Sequence, residues 1–115
     1  MKFQGTVQQG SGYAAELGFR TVNIPLTEES LEGIFAARVT IKEGEAPYMA
    51  AAFANQRRKI LEAHILDFSD TLSGVTVTIE LMQKIREAKT FDTEAQLKAA
   101  IAGDVEKVRA FFQKS

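Results

Sequence analysis

The sequence predicts an antiparallel β-barrel or sandwich followed by a C-terminal helix, and three observations carry that prediction. Apolar and polar residues alternate through five stretches and a sixth is apolar, turn-forming segments divide them, and the period becomes helical only near the C-terminus. Strand and helix units do not alternate, which excludes a parallel sheet with crossover helices. At 115 residues the chain is one domain's worth, read as a barrel over about 1–88 and a helical segment over about 93–113.

"KFQGTVQ" sets Phe3, Gly5 and Val7 against polar neighbours and suits a first strand, with "GSG" after it as a turn. "LGFRTVNI", residues 17–24, is the second: Leu17, Phe19, Thr21 and Asn23 share one face, Gly18, Arg20, Val22 and Ile24 the other, and Pro25 closes it. After the polar connection "LTEESLEG", "IFAARVTIKEG" places Phe35, Ala37, Val39 and Ile41 opposite Arg38, Thr40 and Lys42. "APYMAAAFAN" is apolar throughout; its length and its Pro and Asn bounds favour a strand over a helix.

"KILEAHILDF" and "GVTVTIELMQKI" are two more strands, separated by the turn-rich "SDTLSG". Val75, Val77, Ile79 and Leu81 against Thr76, Thr78, Glu80 and Met82 is the clearest two-residue period in the chain. From "FDTEAQLKAAIAGDVEKVRAFFQK" onward, Leu97, Ile101, Val105, Val108 and Phe112 form a helical stripe. Asp92 or Thr93 is the expected cap, with Gln96 able to close a capping box on Thr93, and Gly103 with Asp104 predicts a break or bend.

Composition narrows the function. With 14 basic and 15 acidic residues the net charge is −1, and "QRRK" at 56–59 is the only basic cluster, so nucleic acid is not an expected partner. Absence of cysteine excludes disulfides and thiolate zinc, and a single histidine excludes multi-histidine metal sites; any metal must be held by oxygen. The N-terminus shows no apolar stretch of signal-peptide length, and "YMAAAFA" is too short to span a bilayer. A cytoplasmic monomer without membrane attachment is the expectation.

Four groups of residues carry possible chemistry. Thr21 and Asn23 offer a hydroxyl and an amide carbonyl on one strand face, either as two oxygen ligands for magnesium with a nucleotide or as a strand-end pair bonding to nearby backbone. Glu62 and His64 share a face, where desolvation would make Glu62 a usable general base; the alternative is a structural hydrogen-bonded pair. Gly10 and Gly12 form either a phosphate-approaching loop or a hairpin turn. Arg86, Lys89 and Phe91 either anchor a planar anionic ligand or end a strand, with Phe91 plugging the helix onto the barrel.

Taken in order, "GSGYAAELGFRTVN", "LEAHILDF", "LSG" and "REAKTF" resemble the signature of the riboflavin kinase (flavokinase) family, whose kinase domain also ends bacterial FAD synthetases. The resemblance covers nearly the whole chain. It implies a six-stranded antiparallel barrel that transfers the terminal phosphate of ATP to the ribityl hydroxyl of riboflavin, giving FMN. On this resemblance Thr21 and Asn23 would be the magnesium and phosphate ligands and Glu62 the base. Gly10 and Gly12 would lie over the nucleotide, and Arg86, Lys89 and Phe91 would meet the flavin. Thr21 and Asn23 would face inward, looking across at Glu62 through the bound magnesium nucleotide.

Several positions depart from the family pattern. Ala14 and Ala15 stand where a Gly and Arg pair is usual, Arg20 replaces a proline, the NIGxRPT segment is reduced to "ANQRR", and Ser73 replaces a tyrosine. The expected activity is that of an ATP- and magnesium-dependent riboflavin kinase without an adenylyltransferase domain, its product FMN rather than FAD. Two alternatives stand beside it: a non-catalytic flavin- or nucleotide-binding module on the same barrel, and a protein-interaction barrel with no small ligand.

Overall fold

Six strands drawn from the six predicted stretches wrap into a nearly closed antiparallel barrel, with one helix laid against its outer wall. The computed structural model describes residues 1–8, 21–68, 72 and 74–113. The strands are β1 (Lys2–Thr6), β2 (Thr21–Pro25), β3 (Gly33–Thr40), β4 (Tyr48–Asn55), β5 (Ile60–Ile65) and β6 (Thr76–Arg86), and the helix is α1 (Glu94–Gln113). Their order around the sheet is β1-β6-β3-β4-β5-β2, with every pairing antiparallel. The two end strands meet where the Gln8 N–H donates to the Asn23 main-chain carbonyl at 2.8 Å, so neither presents a long free edge.

Register sorts the side chains. Val22 and Ile24 on β2, Leu61, Ala63 and Ile65 on β5, and Val77, Ile79 and Leu81 on β6 all point into the barrel and are buried. From β4 come only alanines, Ala50, Ala52 and Ala54, because a barrel of this size has room for bulk from some strands and not from all. At Gly5 the fit is close, since a Cβ there would lie 3.0 Å from the Ile24 Cβ. Each fully buried Ile or Leu contributes roughly 1.5–3 kcal/mol.

A second apolar layer lies outside. Ala36 of β3 and Ala51 of β4 stand opposite each other and form a flat seat on which Val108 of α1 is completely buried, with Leu66, Val105, Phe111 and Phe112 around it. The Arg38 guanidinium sits 5.5 Å from the Phe112 ring centre at the far end of this layer. Thr93 caps the helix: its hydroxyl accepts from the Gln96 N–H at 3.1 Å, while the Gln96 side chain reaches back to the Asp92 N–H at 3.1 Å, one residue beyond a standard capping box.

Two expectations are corrected. The helix is unbroken from Glu94 to Gln113, because Asp104 points into the protein and is held there by Arg86, a tertiary interaction that outweighs the weak helix propensity of Gly103 and Asp104. Thr21 and Asn23 lie on the outer wall of the barrel, since Val22 and Ile24 occupy its interior. Leu17 and Phe19, which were expected to share their face, lie outside the described residues.

The end of β6 is re-aimed. Two register shifts against β3 leave Met82 and Ile85 as extra residues between the pairs Ala37↔Leu81, Ala36↔Gln83, Phe35↔Lys84 and Ile34↔Arg86. Such bulges bend a strand. Gly33, with φ of +110°, accepts the close approach that results: a Cβ there would lie 2.9 Å from the Arg86 carbonyl oxygen.

Candidate active site

Antiparallel pairing places Asn23 directly opposite Glu62 and Thr21 directly opposite His64, all four on the outer wall. The same ladder continues across the sheet as Glu62↔Phe53, Phe53↔Ile34 and Ile34↔Arg86. One row of five strands therefore reads Asn23, Glu62, Phe53, Ile34, Arg86: polar at both ends and apolar between. A cavity of about 230 Å³ lies over this row, roofed by Leu97, Ile101 and Asp104 of α1 and by Phe91 in the segment before it.

The polar end is unusual in what it leaves unpaired. Asn23 is 5% exposed, and among the described residues its side-chain oxygen Oδ1 has no hydrogen-bond partner. A buried carbonyl without a donor costs about 1–3 kcal/mol, which makes this oxygen a candidate ligand atom. Beside it, burial pushes the Glu62 carboxyl above the ordinary glutamate range, and the Arg58 guanidinium, 3.8 Å from Oε1, partly offsets the rise. The Thr21 hydroxyl and Asn23 Oδ1 are neutral hard oxygens on one face, a donor set that suits a hard cation bringing its own waters and phosphate oxygens. No group of three or more His, Cys, Asp or Glu that could hold a metal unaided occurs among the described residues.

The opposite end is a cation held rigid. Arg86 donates through Nε and Nη2 to the two carboxylate oxygens of Asp104, each at 2.8 Å, and through Nη1 to the Glu87 carbonyl at 3.1 Å. Asp104 is 4% exposed, so this bidentate pair is largely shielded from water. The guanidinium sits 5.8 Å from the Phe91 ring centre and the Lys89 ammonium 5.9 Å from it. An aromatic with two cations beside an apolar floor can receive one edge of a flat, polar-rimmed ring.

Of the residues singled out from the sequence, Thr21, Asn23, Glu62, Arg86, Lys89 and Phe91 line this one cavity, with His64 beside them. Gly10, Gly12, Ala14, Ala15, Arg20 and Ser73 lie outside the described residues. Sequence reasoning misses Asp104, which falls on the apolar stripe between Ile101 and Val108 and with Gly103 predicts a break or bend; an acid on a buried stripe is itself the signal of a buried partner. It also misses Arg58, which reads only as part of a basic cluster and of the reduced "ANQRR" segment, and the apolar floor of Phe53 and Ile34.

Comparison with known proteins gives the family. The riboflavin kinase family model (Flavokinase) matches residues 1–112. The bifunctional riboflavin kinase/FMN adenylyltransferase of Haemophilus influenzae is 34% identical over 115 residues, covering 94% of this chain and 37% of that protein, and the Escherichia coli K12 protein of the same description is 34% identical over 116. Among solved structures, riboflavin kinase from Trypanosoma brucei superposes with a TM-score of 0.69 at 28% identity, covering 98% of this chain and 80% of that one. A macrolide-efflux protein from Streptococcus pneumoniae superposes with a TM-score of 0.79 at 25% identity, covering 94% and 38%. The chain belongs to the riboflavin kinase family. It spans a little over a third of the length of the bacterial relatives it matches, at 37%. No helix among its described residues is long and apolar enough to cross a membrane.

Proposed function

We propose that this protein is an ATP-dependent riboflavin kinase that forms FMN. The observation that carries the proposal is the pairing of Asn23, whose buried side-chain oxygen has no partner among the described residues, with Glu62, whose carboxyl burial makes more basic. The Glu62 carboxylate takes the proton of the ribityl 5′-hydroxyl. The freed oxygen attacks the γ-phosphorus, and the bond from that phosphorus to the bridging oxygen breaks, releasing ADP. Phosphoryl transfer of this kind depends on positioning and charge neutralisation more than on covalent chemistry.

Magnesium fits the donor set at Thr21 and Asn23, which would hold it together with phosphate oxygens; when bound it supplies neutralising charge to the phosphates. Gly10 and Gly12 belong to the loop proposed to cover the nucleotide. The isoalloxazine ring lies on Phe53 and Ile34, with Phe91 above it and Lys89 at its rim. Arg86 serves as a fixed wall rather than as a mobile anchor, since Asp104 engages two of its nitrogens. The proposal takes the protein to be a monomer in the cytoplasm.

The test is to incubate the protein with riboflavin, ATP and magnesium and to separate riboflavin from FMN. Magnesium-dependent FMN is the expected product. Flavin binding without FMN would make the chain a binding module on a kinase fold, and neither binding nor product would leave a barrel with no small ligand.

A further inference from the structure

Three cations line the cavity, and their surroundings differ. Arg86 is engaged by Asp104 through two nitrogens, and Lys89 stands over Phe91 at the opposite end from Glu62. Arg58 is the cation at the Thr21, Asn23 and Glu62 end among the described lining residues. Its contact with Glu62, at 3.8 Å, is well beyond the ~2.7–2.9 Å of a charge-assisted hydrogen bond. Its side chain is 48% exposed, so it can move without disturbing the core.

The hairpin that carries Arg58 is tied down in a way that fixes where the side chain starts. The Arg58 N–H donates to Asn55 Oδ1 at 3.1 Å. The Gln56 side-chain amide donates to the carbonyls of Glu28 and Leu31, at 2.5 and 2.7 Å, across the neighbouring connection. Lys59 turns the chain with a positive φ of 56°, and its carbonyl accepts from the Leu26 N–H at 2.9 Å. A short hairpin anchored on both sides thus holds a loosely paired guanidinium at the mouth of a site whose buried end carries a carboxyl and neutral oxygens.

We propose that Arg58 is the cation that binds the transferring phosphoryl group, leaving Glu62 to do so. The proposal rests on the kinase reading and adds to it a residue that neither the family match nor the sequence motifs assign. A triphosphate seated on Thr21 and Asn23 brings its terminal oxygens toward Glu62, and like charges there repel. Arg58 meets those oxygens with a planar, permanently charged fork. As the phosphorus passes from the bridging oxygen of ADP to the ribityl oxygen, whose proton goes to Glu62, Arg58 neutralises the charge on its equatorial oxygens.

The test measures calorimetric binding of two probes, magnesium with the β,γ-methylene analogue of ATP and magnesium with ADP, to the parent protein, Arg58→Met and Arg58→Lys. The expected result is a loss of about 10-fold or more in affinity for the analogue in Arg58→Met, a change of under about 3-fold for ADP, and partial rescue in Arg58→Lys. Equal losses for both probes, or none for either, overturn the proposal. In the FMN assay Arg58→Met is expected to turn over about 10²-fold or more slowly than the parent. A parent that makes no FMN but binds the analogue in an Arg58-dependent way would refute the kinase reading while upholding Arg58 as the phosphate ligand. Substitution of a half-exposed side chain leaves the core intact, and an unchanged circular dichroism melt confirms that each variant is folded.

Discussion

Asn23 and Glu62 face each other across neighbouring antiparallel strands on the outside of the barrel, so an amide oxygen without a partner among the described residues and a carboxyl that burial makes more basic share one cross-strand position. The proposed catalytic base and its neighbouring oxygen ligand are therefore placed by backbone register, on two strands whose inward residues are locked in the core. Precision of this kind is what strands supply better than loops.

Glu62→Gln keeps the shape and hydrogen-bonding size of the side chain while removing its basicity. Turnover is expected to fall by roughly a hundredfold or more, with flavin affinity nearly unchanged when read by fluorescence quenching. The same variant should unfold at a higher denaturant concentration at neutral pH, because it removes a carboxylate whose burial is unfavourable. A variant as active as the parent would take Glu62 out of the mechanism.

The pH profile follows from the same shift. Because burial raises the Glu62 pKa above the ~4.3 of a solvated glutamate, the base form is lost, and kcat/KM for riboflavin falls, at a pH above that of an ordinary carboxylate. Arg58 pulls the pKa down, so removing it in Arg58→Met moves the acidic limb of the residual activity further up. The stability sign is opposite: the folded state holds this proton more tightly than the unfolded chain, so the Glu62 contribution weakens as pH rises through the interval between the two pKa values. A limb at or below the solvated value would contradict the burial argument.

Asp104→Asn breaks a bidentate pair whose acid is 4% exposed and leaves Arg86 with a partly buried charge. Stability is expected to drop by roughly 2–4 kcal/mol, less than for a fully buried pair because Arg86 keeps some access to water. Urea denaturation measures this directly. Flavin affinity should weaken as well, since the wall beside Phe91 is no longer fixed.

Gly103→Ala should stabilise the protein. The glycine sits inside an unbroken helix with open space where a Cβ would go, and alanine is favoured there by about 0.5–1 kcal/mol. A lower melting temperature in thermal denaturation would show that the helix needs this glycine for a reason its surroundings do not reveal.

What the sequence determined by itself was substantial: six strands, one terminal helix, its cap at Asp92 or Thr93, and the pairs of residues that share a strand face, all from period and turn chemistry. Thr21 with Asn23, and Glu62 with His64, were legible as face-mates because strand side chains alternate without exception over so short a stretch. Which face looks inward was not legible. That depends on how the barrel closes, and the narrow interior took Val22, Ile24, Leu61 and Ala63, leaving their polar neighbours for the outer wall. Strand order, the row from Asn23 to Arg86, the insertion of Asp104 and the placing of Arg58 beside Glu62 likewise belong to the tertiary structure. Each joins residues far apart in the chain through backbone pairing or buried charge, and no local period in a sequence carries that information.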